Sequence, residues 1–376
     1  MTKPAIVFVT TIFEPVRNGP AIYVQYLYDH FADSPDFDFH VVTCGAVKAR
    51  PNLHRVELGR NSLETYRRLQ RSALDLAEKL GPGTIVHGNV AHTMWMFRKY
   101  SGPLVVQVND YDNATALSRW FWHLRQRQLR RLLVMGWRKR NERRVLTAAD
   151  AVIYNSKHTA REVMNRYGLK GDKHQVIYKA VDTSHFARPK DKKSPAYTSP
   201  RLVFVGSNWR IKGFDSLVRA LAILKKTFPN VVLDAVGLEM IDLSDQLKQE
   251  IEEIGVSDNI QFSGVVEREQ LPHHFWNADV SLLPSVSEAL GVSVLESLAA
   301  GTPAVASRVG GIPEIIDGSG CGVLVEPNSP KALAEGISGV LNGDFRRVRH
   351  DGPNRAKVFS LDRMVSQVAD VYSNLG

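Results

Sequence analysis

Short apolar runs with strand composition alternate with longer helical patterns along almost all 376 residues, and this rhythm limits the fold more than any other feature. In the first half the runs are AIVFVTT, FHVVTC, TIVHGN, LVVQVND, AVIYNS and HQVIY. In the second they are RLVFVGS, VVLDAVG, NIQFSG, VSLLP, PAVAS and GVLVE. Helical segments such as FDSLVRALAILKKTF and SDQLKQEIEEIG lie between them. Strand, helix, strand in that order predicts parallel sheets covered on both faces, because parallel neighbours need a long crossover. The rhythm breaks once, across residues 179–201, where Pro189, Pro195 and Pro200 accompany the charged run RPKDKK. Two similar halves around a linker predict two Rossmann-like domains, and the chain is long enough for both.

The stretch SLLPSVSEALGVSVLESLAAGTPAVASRVGGIPEII, residues 281–316, carries the densest pattern. Residues 280–284 form an apolar run of buried-strand type, 285–290 are turn-like, and 291–300 have helical composition, stopped by Gly301 with Pro303 beyond. A second strand follows at 304–307, and Gly310-Gly311 opens another turn. Glu288 then sits on a loop at the C-terminal end of a strand and Glu296 in the next helix. Ligands of open α/β sheets bind at that edge. An ionised carboxylate only accepts hydrogen bonds, through two oxygens, which suits paired sugar hydroxyls.

The stretch resembles the retaining glycosyltransferases of family 4, which have the GT-B fold. Their pattern is matched by Pro284-Ser285, Glu288-Ala289-Leu290-Gly291, Glu296, Gly301-Thr302-Pro303-Ala304-Val305-Ala306 and Gly310-Gly311-Ile312-Pro313-Glu314. The resemblance implies that Glu296 holds the ribose diol of a nucleotide and Glu288 the hydroxyls of the transferred sugar. Backbone N–H groups at the helix start, from Leu290 through Gly291 to Val292, would face the diphosphate or the sugar.

The same resemblance organises residues 201–213, RLVFVGSNWRIKG. The family has Gly-Arg here and then Lys-Gly, with Arg and Lys clamping the donor diphosphate. Gly206 and Lys212-Gly213 match, whereas the Arg position is Ser207. Arg210 is expected to restore the clamp if the loop turns inward. Hydrogen bonds to charged groups contribute about 1.5–3 kcal/mol each, so such a loss would be felt. Val265, after the strand NIQFSG, falls where the family holds the nucleobase through backbone groups.

The first half departs more from the family. The loop after the first strand, residues 13–20, often holds Gly-Gly and touches acceptor or donor phosphate. Here Gly19 is followed by Pro20, which has no N–H to offer. Where His-Asp is common, this chain has Asn109-Asp110, and an Asn amide could supply hydrogen bonds but no general base. His87 and His92 read more readily as structural histidines than as ligands. Asp110-Tyr111-Asp112 looks like the metal triplet of another glycosyltransferase class and is taken as coincidental, so no metal is expected. The family's Pro-Asn-Gly-Val-Asp reads Tyr178-Lys179-Ala180-Val181-Asp182.

The formal net charge of +9 points to an anionic partner. Residues 119–144 hold ten Lys/Arg against one acidic residue, interleaved with Trp120, Phe121, Trp122 and Trp137. Such a segment suits an anionic membrane surface, or a helix with one core face and one solvated face. Nucleic acid is disfavoured, because no nucleic-acid motif accompanies it. There is no run of roughly 18 apolar residues and no leader-like start. Two cysteines, Cys44 and Cys321, form no framework. A cytoplasmic protein, peripheral on the inner membrane face, is the expectation.

Together these features predict an α/β protein of GT-B type, with two Rossmann-like parallel-sheet domains facing a central cleft. Residues 1–182 plus a returning helix within 357–376 would form the acceptor side, and 183–356 the donor side. The expected activity is retaining transfer from a nucleotide diphosphate sugar, a UDP-sugar before GDP-mannose, to a glycan or lipid-linked glycan. No cofactor is required, and domain closure would exclude water. Lys212 and Arg210 would stabilise the diphosphate, while Glu288 and Asn109 orient the sugar. A non-catalytic nucleotide-sugar-binding subunit and a phosphorylase or synthase on the same scaffold are the alternatives.

Overall fold

The computed structural model describes residues 3–14, 19–45, 47–89, 91–109, 129–189, 199–344 and 348–376. The triplet 110–112, residues 119–128 of the basic segment, 15–18 of the first loop and 190–198 of the linker lie outside the described residues, as does the side chain of His92. Contacts divide the chain into two compact units, residues 1–179 with 364–376, and residues 180–363.

The first unit is a seven-stranded parallel sheet. Its strands are β1 (Ala5–Thr10), β2 (Asp38–Cys44), β3 (Leu53–Val56), β4 (Ile85–Gly88), β5 (Leu104–Val108), β6 (Ala151–Tyr154) and β7 (His174–Val176). Their order is β3-β2-β1-β4-β5-β6-β7, so the sheet runs one way from β1 through β2 and the other way through β4. Both faces are buried, which is why the central strands read as unbroken apolar runs rather than alternating ones. Val7, Val9, Val86, Val106 and Val152 point to one face, against Leu69 and Ala73 of helix Ser62–Leu80 and Val145 of helix Leu129–Ala148. The other face presents Phe8, Phe39 and His87 to Tyr23 and Phe31 of helix Gly19–Phe31 and to Tyr372. Tyr372 belongs to the last helix, Leu361–Ser373, whose residues from Met364 onward cluster with this sheet.

The second unit is a six-stranded parallel sheet made of β8 (Arg201–Val205), β9 (Val232–Val236), β10 (Ile260–Gly264), β11 (Val280–Leu283), β12 (Ala304–Ser307) and β13 (Gly322–Val325). The order β10-β9-β8-β11-β12-β13 again reverses at its first strand, between β8 and β11. One face is sealed by Phe214, Leu217 and Leu221 of helix Phe214–Leu224, Ile251 of helix Asp245–Glu253 and Leu333 and Ile337 of helix Pro330–Gly339. Helix Val292–Ala299 packs on β11 and β12 and against helix Val348–Lys357.

All twelve expected strands form. The additional strand is β3, LHRV, a four-residue strand at the end of the first sheet with no fully buried residue. A short edge strand needs no apolar run, because only part of its surface meets the core.

Candidate active site

In the second unit the reversal between β8 and β11 brings two loops together at the C-terminal edge of the sheet, where open α/β folds bind ligands. The first loop runs from Gly206 to Gly213 and the second from Pro284 to Gly291. Val286 N donates to Ile211 O at 2.8 Å, tying one to the other. Gly213, at φ +69°, begins helix Phe214–Leu224, and a Cβ there would lie 2.0 Å from Pro284 O. Only glycine allows the loops this close. Gly310 does the same on the other side, since at φ +59° its Cβ would meet Glu288 O at 1.5 Å.

Within this frame Lys212 Nζ donates to Glu288 Oε2 at 2.5 Å. The other carboxylate oxygen, Oε1, accepts from Ala289 N at 3.2 Å. Glu296 lies one turn into helix Val292–Ala299, whose cap Gly291 has φ +99°. It is buried, and burial pushes its carboxyl up to about 7 against the opposing pull of Arg268 and Lys212. One lysine ammonium therefore acts on both expected glutamates. The result is a concentrated set of charges, two carboxylates and two cations, at a sheet edge lined by glycine.

The remaining donor-side candidates sort themselves by position. Leu290 is buried and Val292 half-buried at the helix start, while Val265 is 61% exposed beyond β10. Gly206 follows β8 with its Cβ position 3.1 Å from Lys212 Cγ, and Ser207 is exposed. Arg210 is exposed too, with its guanidinium 4.5 Å from the centroid of the Trp209 ring. Arg268 was not anticipated. It stands between Glu267 and Glu269, a sequence context that reads as a solvated turn, and no local signal points to it.

In the first unit Asn109 follows β5 and is buried. Its Nδ2 donates to Asn89 O and to Asn89 Oδ1, both at 2.6 Å. Those two oxygens identify which end of the amide is nitrogen. The atom left without a partner is Oδ1, which is buried. Asn109 thus presents an acceptor rather than a donor. Asn89 in turn donates to Thr10 Oγ1 at 3.1 Å, and Asn155 Nδ2 donates to Asn109 O at 2.6 Å. These amides link the ends of β1, β4, β5 and β6, a network invisible in sequence because its members are dispersed. Gly19 is the first residue of helix Gly19–Phe31. His87 Nδ1 lies 2.7 Å from Tyr372 OH, fully buried among aromatic rings, which is a packing position. Among the described residues no cluster of three or more His, Cys, Asp or Glu is placed to hold a metal ion.

Known structures share this architecture. Sucrose-phosphate synthase from Thermosynechococcus elongatus superposes with a TM-score of 0.81 over 99% of each chain at 22% identity. Anabaena HepE, solved in complex with UDP-glucose, does so with a TM-score of 0.75 over 99% of this chain and 100% of that one at 18% identity. The fold is α/β, with two Rossmann-like parallel-sheet domains of the GT-B class. Residues 17–185 match the family described as Glycosyltransferase Family 4, and residues 187–357 match Glycosyl transferases group 1. The chain belongs to glycosyltransferase family 4. A D-inositol 3-phosphate glycosyltransferase from Xylanimonas cellulosilytica is 31% identical over 245 residues, which cover 62% of this chain and 58% of that protein. The protein of that name from Corynebacterium glutamicum is 26% identical, with 62% of this chain and 59% of that one covered. The chain thus spans little more than half the length of the curated relatives it matches.

Proposed function

We propose that the protein transfers a sugar from a nucleotide diphosphate donor, with retention, to a hydroxyl of a glycan or lipid-linked glycan. The observation that carries this is the pairing of Lys212 with Glu288 beside buried Glu296, at the reversal point of the second sheet. When the sugar–phosphate bond breaks, its electron pair stays on the diphosphate oxygen. A fixed ammonium facing that oxygen stabilises the developing charge, and loss of one such donor typically costs about 3–4 kcal/mol of barrier. Lys212 takes that role, and Arg210 joins it once it leaves Trp209. No metal is needed in this scheme. Glu296, ionised, accepts from the ribose diol, and Glu288 accepts from the sugar. Asn109 offers Oδ1 to a sugar hydroxyl. A UDP-sugar is the first donor to try, supported by the UDP-glucose bound to HepE, and GDP-mannose is the second.

The test is direct. Calorimetric titration with UDP, GDP and ADP should give binding for one base, lost in Glu296→Ala, and turnover with the matching nucleotide sugar should follow. No binding of any nucleotide by the wild type would end the proposal. The exposed Ser207 at the expected Arg position favours one other reading, a nucleotide-sugar-binding subunit without activity. Nucleotide binding without transfer to any acceptor is its signature. Phosphate-dependent release of a sugar phosphate would instead indicate a phosphorylase.

We also assign a membrane-facing role to helix Leu129–Ala148. Trp137, Arg138, Lys139, Arg140, Arg143 and Arg144 are exposed, while Asn141, Val145 and Leu146 are buried. No helix among the described residues is long and apolar enough to cross a membrane. A basic face with an exposed Trp suits anionic headgroups. Sedimentation with phosphatidylglycerol vesicles, absent with neutral vesicles and lost on replacing the three consecutive basic residues by Gln, is the expected outcome.

A further inference from the structure

Glu296 is 5% exposed, and among the described residues no hydrogen bond or ion pair engages its carboxylate. A carboxylate taken out of water is costly unless opposite charge stands near it. Two cations act on it, Arg268 first and Lys212 second. Lys212 already pairs with Glu288, and in the proposed reaction it also faces the diphosphate. One ammonium shared among three anions leaves the charge of Glu296 chiefly to Arg268.

The backbone brings Arg268 to this place. Its turn follows β10 and leads into helix Leu271–Trp276, with Arg268 half-buried between exposed Glu267 and Glu269. That helix and helix Thr183–Phe186 both pack on helix Val292–Ala299, which carries Glu296. Two hydrogen bonds brace them: His185 Nε2 donates to Arg268 O at 3.0 Å, and Trp276 Nε1 donates to Phe186 O at 2.9 Å. Asp182 fixes the short helix in turn, its Oδ1 accepting from Ser184 N and His185 N, both at 3.0 Å. The arginine is thus placed through its main chain, and the two carboxylate oxygens of Glu296 stay open for a ligand. Other described charged or titratable groups also lie on elements packed against this helix. His273, Asp351 and Lys357 are exposed, Asp234 holds His274, Glu314 is half-buried, and Arg355 donates to Glu314 O and Ile315 O.

We propose that Arg268 is a positioning residue for the donor nucleotide, acting through Glu296: its guanidinium charge compensates the buried carboxylate that receives the ribose diol. The ribose part rests on the transferase proposal, whereas the charge coupling of Arg268 to Glu296 does not. Without the guanidinium the carboxyl keeps its proton to higher pH, and a protonated carboxyl accepts fewer hydrogen bonds.

Calorimetry with UDP, GDP and ADP on the full chain identifies the nucleotide bound, and that nucleotide is the probe. Arg268→Gln should weaken its binding about fivefold to tenfold at pH 7, and most of the loss should be recovered at pH 8.5. Arg268→Lys should bind nearly as the wild type does. The weaker binding left in Glu296→Gln should not change when Arg268→Gln is added. Urea titrations without ligand form a second arm. There the decline of stability with pH that ends near 7 in the wild type should continue above 7 in Arg268→Gln and be absent from the double variant. Unchanged nucleotide binding in Arg268→Gln overturns the proposal. So does a loss that is equal at both pH values or persists beside Glu296→Gln, which would mark a direct ligand contact or a structural role. No nucleotide binding by the wild type sinks the transferase proposal and the ribose role together. The urea arm then still decides the coupling, and an Arg268→Gln profile like that of the wild type overturns it.

Discussion

Lys212 Nζ and Glu288 Oε2 lie 2.5 Å apart, joining the loop after β8 to the loop after β11. Their side chains are 26% and 14% exposed, between a surface pair and a buried one. Surface pairs are worth up to about 1 kcal/mol, and breaking buried ones costs about 3–5 kcal/mol. Lys212→Ala should therefore cost only about 1–2 kcal/mol of stability. Its turnover should fall far more, by about a hundredfold to a thousandfold, because a charge-stabilising donor is lost. Thermal melting and steady-state kinetics with the matched nucleotide sugar separate the two effects. Near wild-type turnover in Lys212→Ala would remove the lysine from the leaving-group side.

Glu296 sets a pH dependence with two opposed parts. Burial raises its carboxyl from the ordinary 4.5 to about 7, so between those values the folded chain holds a proton that the unfolded chain releases. Stability from this group is full below about 4.5 and declines as pH rises to 7, by on the order of 3 kcal/mol. Glu296→Gln should flatten that slope in urea titrations run from pH 5 to 8. Nucleotide affinity should move the other way, rising through pH 7 as the carboxylate ionises to accept the ribose hydroxyls. An affinity rise of the same size in Glu296→Gln would assign the effect to another group.

The fold was legible because buried parallel strands must be apolar on both faces, and twelve such runs stand out between helical segments. β3 was not, because LHRV at a sheet edge carries no comparable signal. The two glutamates stood out only through their resemblance to the family pattern, and the glycines of that pattern are where the loop backbones come close: Gly213, Gly291 and Gly310 all have positive φ. What spacing could not supply is side-chain direction. Arg210 is two residues from Lys212, yet it turns onto Trp209. For Asn109 the sequence could not say which end of the amide is open: its nitrogen is engaged by Asn89, which follows another strand, and its Oδ1 is not. Contacts between residues distant in sequence, such as Asn109 with Asn89, leave no trace in either local pattern.

The close approach of loop backbones makes Gly310 a sensitive position. A Cβ at 1.5 Å from Glu288 O cannot be accommodated, and φ +59° adds strain of about 1–2 kcal/mol for an alanine. Gly310→Ala should shift the 285–290 loop and weaken nucleotide-sugar binding even where the fold survives. Gly318→Ala is the control, because Gly318 has a similar φ of +69° with no atom within 4 Å of its Cβ position. Equal loss of binding in both variants would attribute the effect to backbone strain alone and not to the clash with Glu288.

A buried polar contact, His87 Nδ1 to Tyr372 OH at 2.7 Å, ties the last helix to the first sheet. Tyr372→Phe leaves Nδ1 unpaired beside Nε2, which already has no partner, so a loss of about 1–3 kcal/mol is expected. Burial pulls His87 from its ordinary 6.5 down to about 3. The unfolded chain therefore takes up a proton below about 6.5 that the folded chain refuses until about 3. Stability falls across that window as pH drops, by up to roughly 4–5 kcal/mol. This slope is opposite in sign to that of Glu296, and the two oppose each other between about pH 4.5 and 6.5. The wild type alone will consequently show a shallow profile. Glu296→Gln should expose the acid sensitivity of the first unit, and His87→Phe should remove it. If Glu296→Gln is no more acid-sensitive than the wild type, the buried imidazole is not the group that titrates.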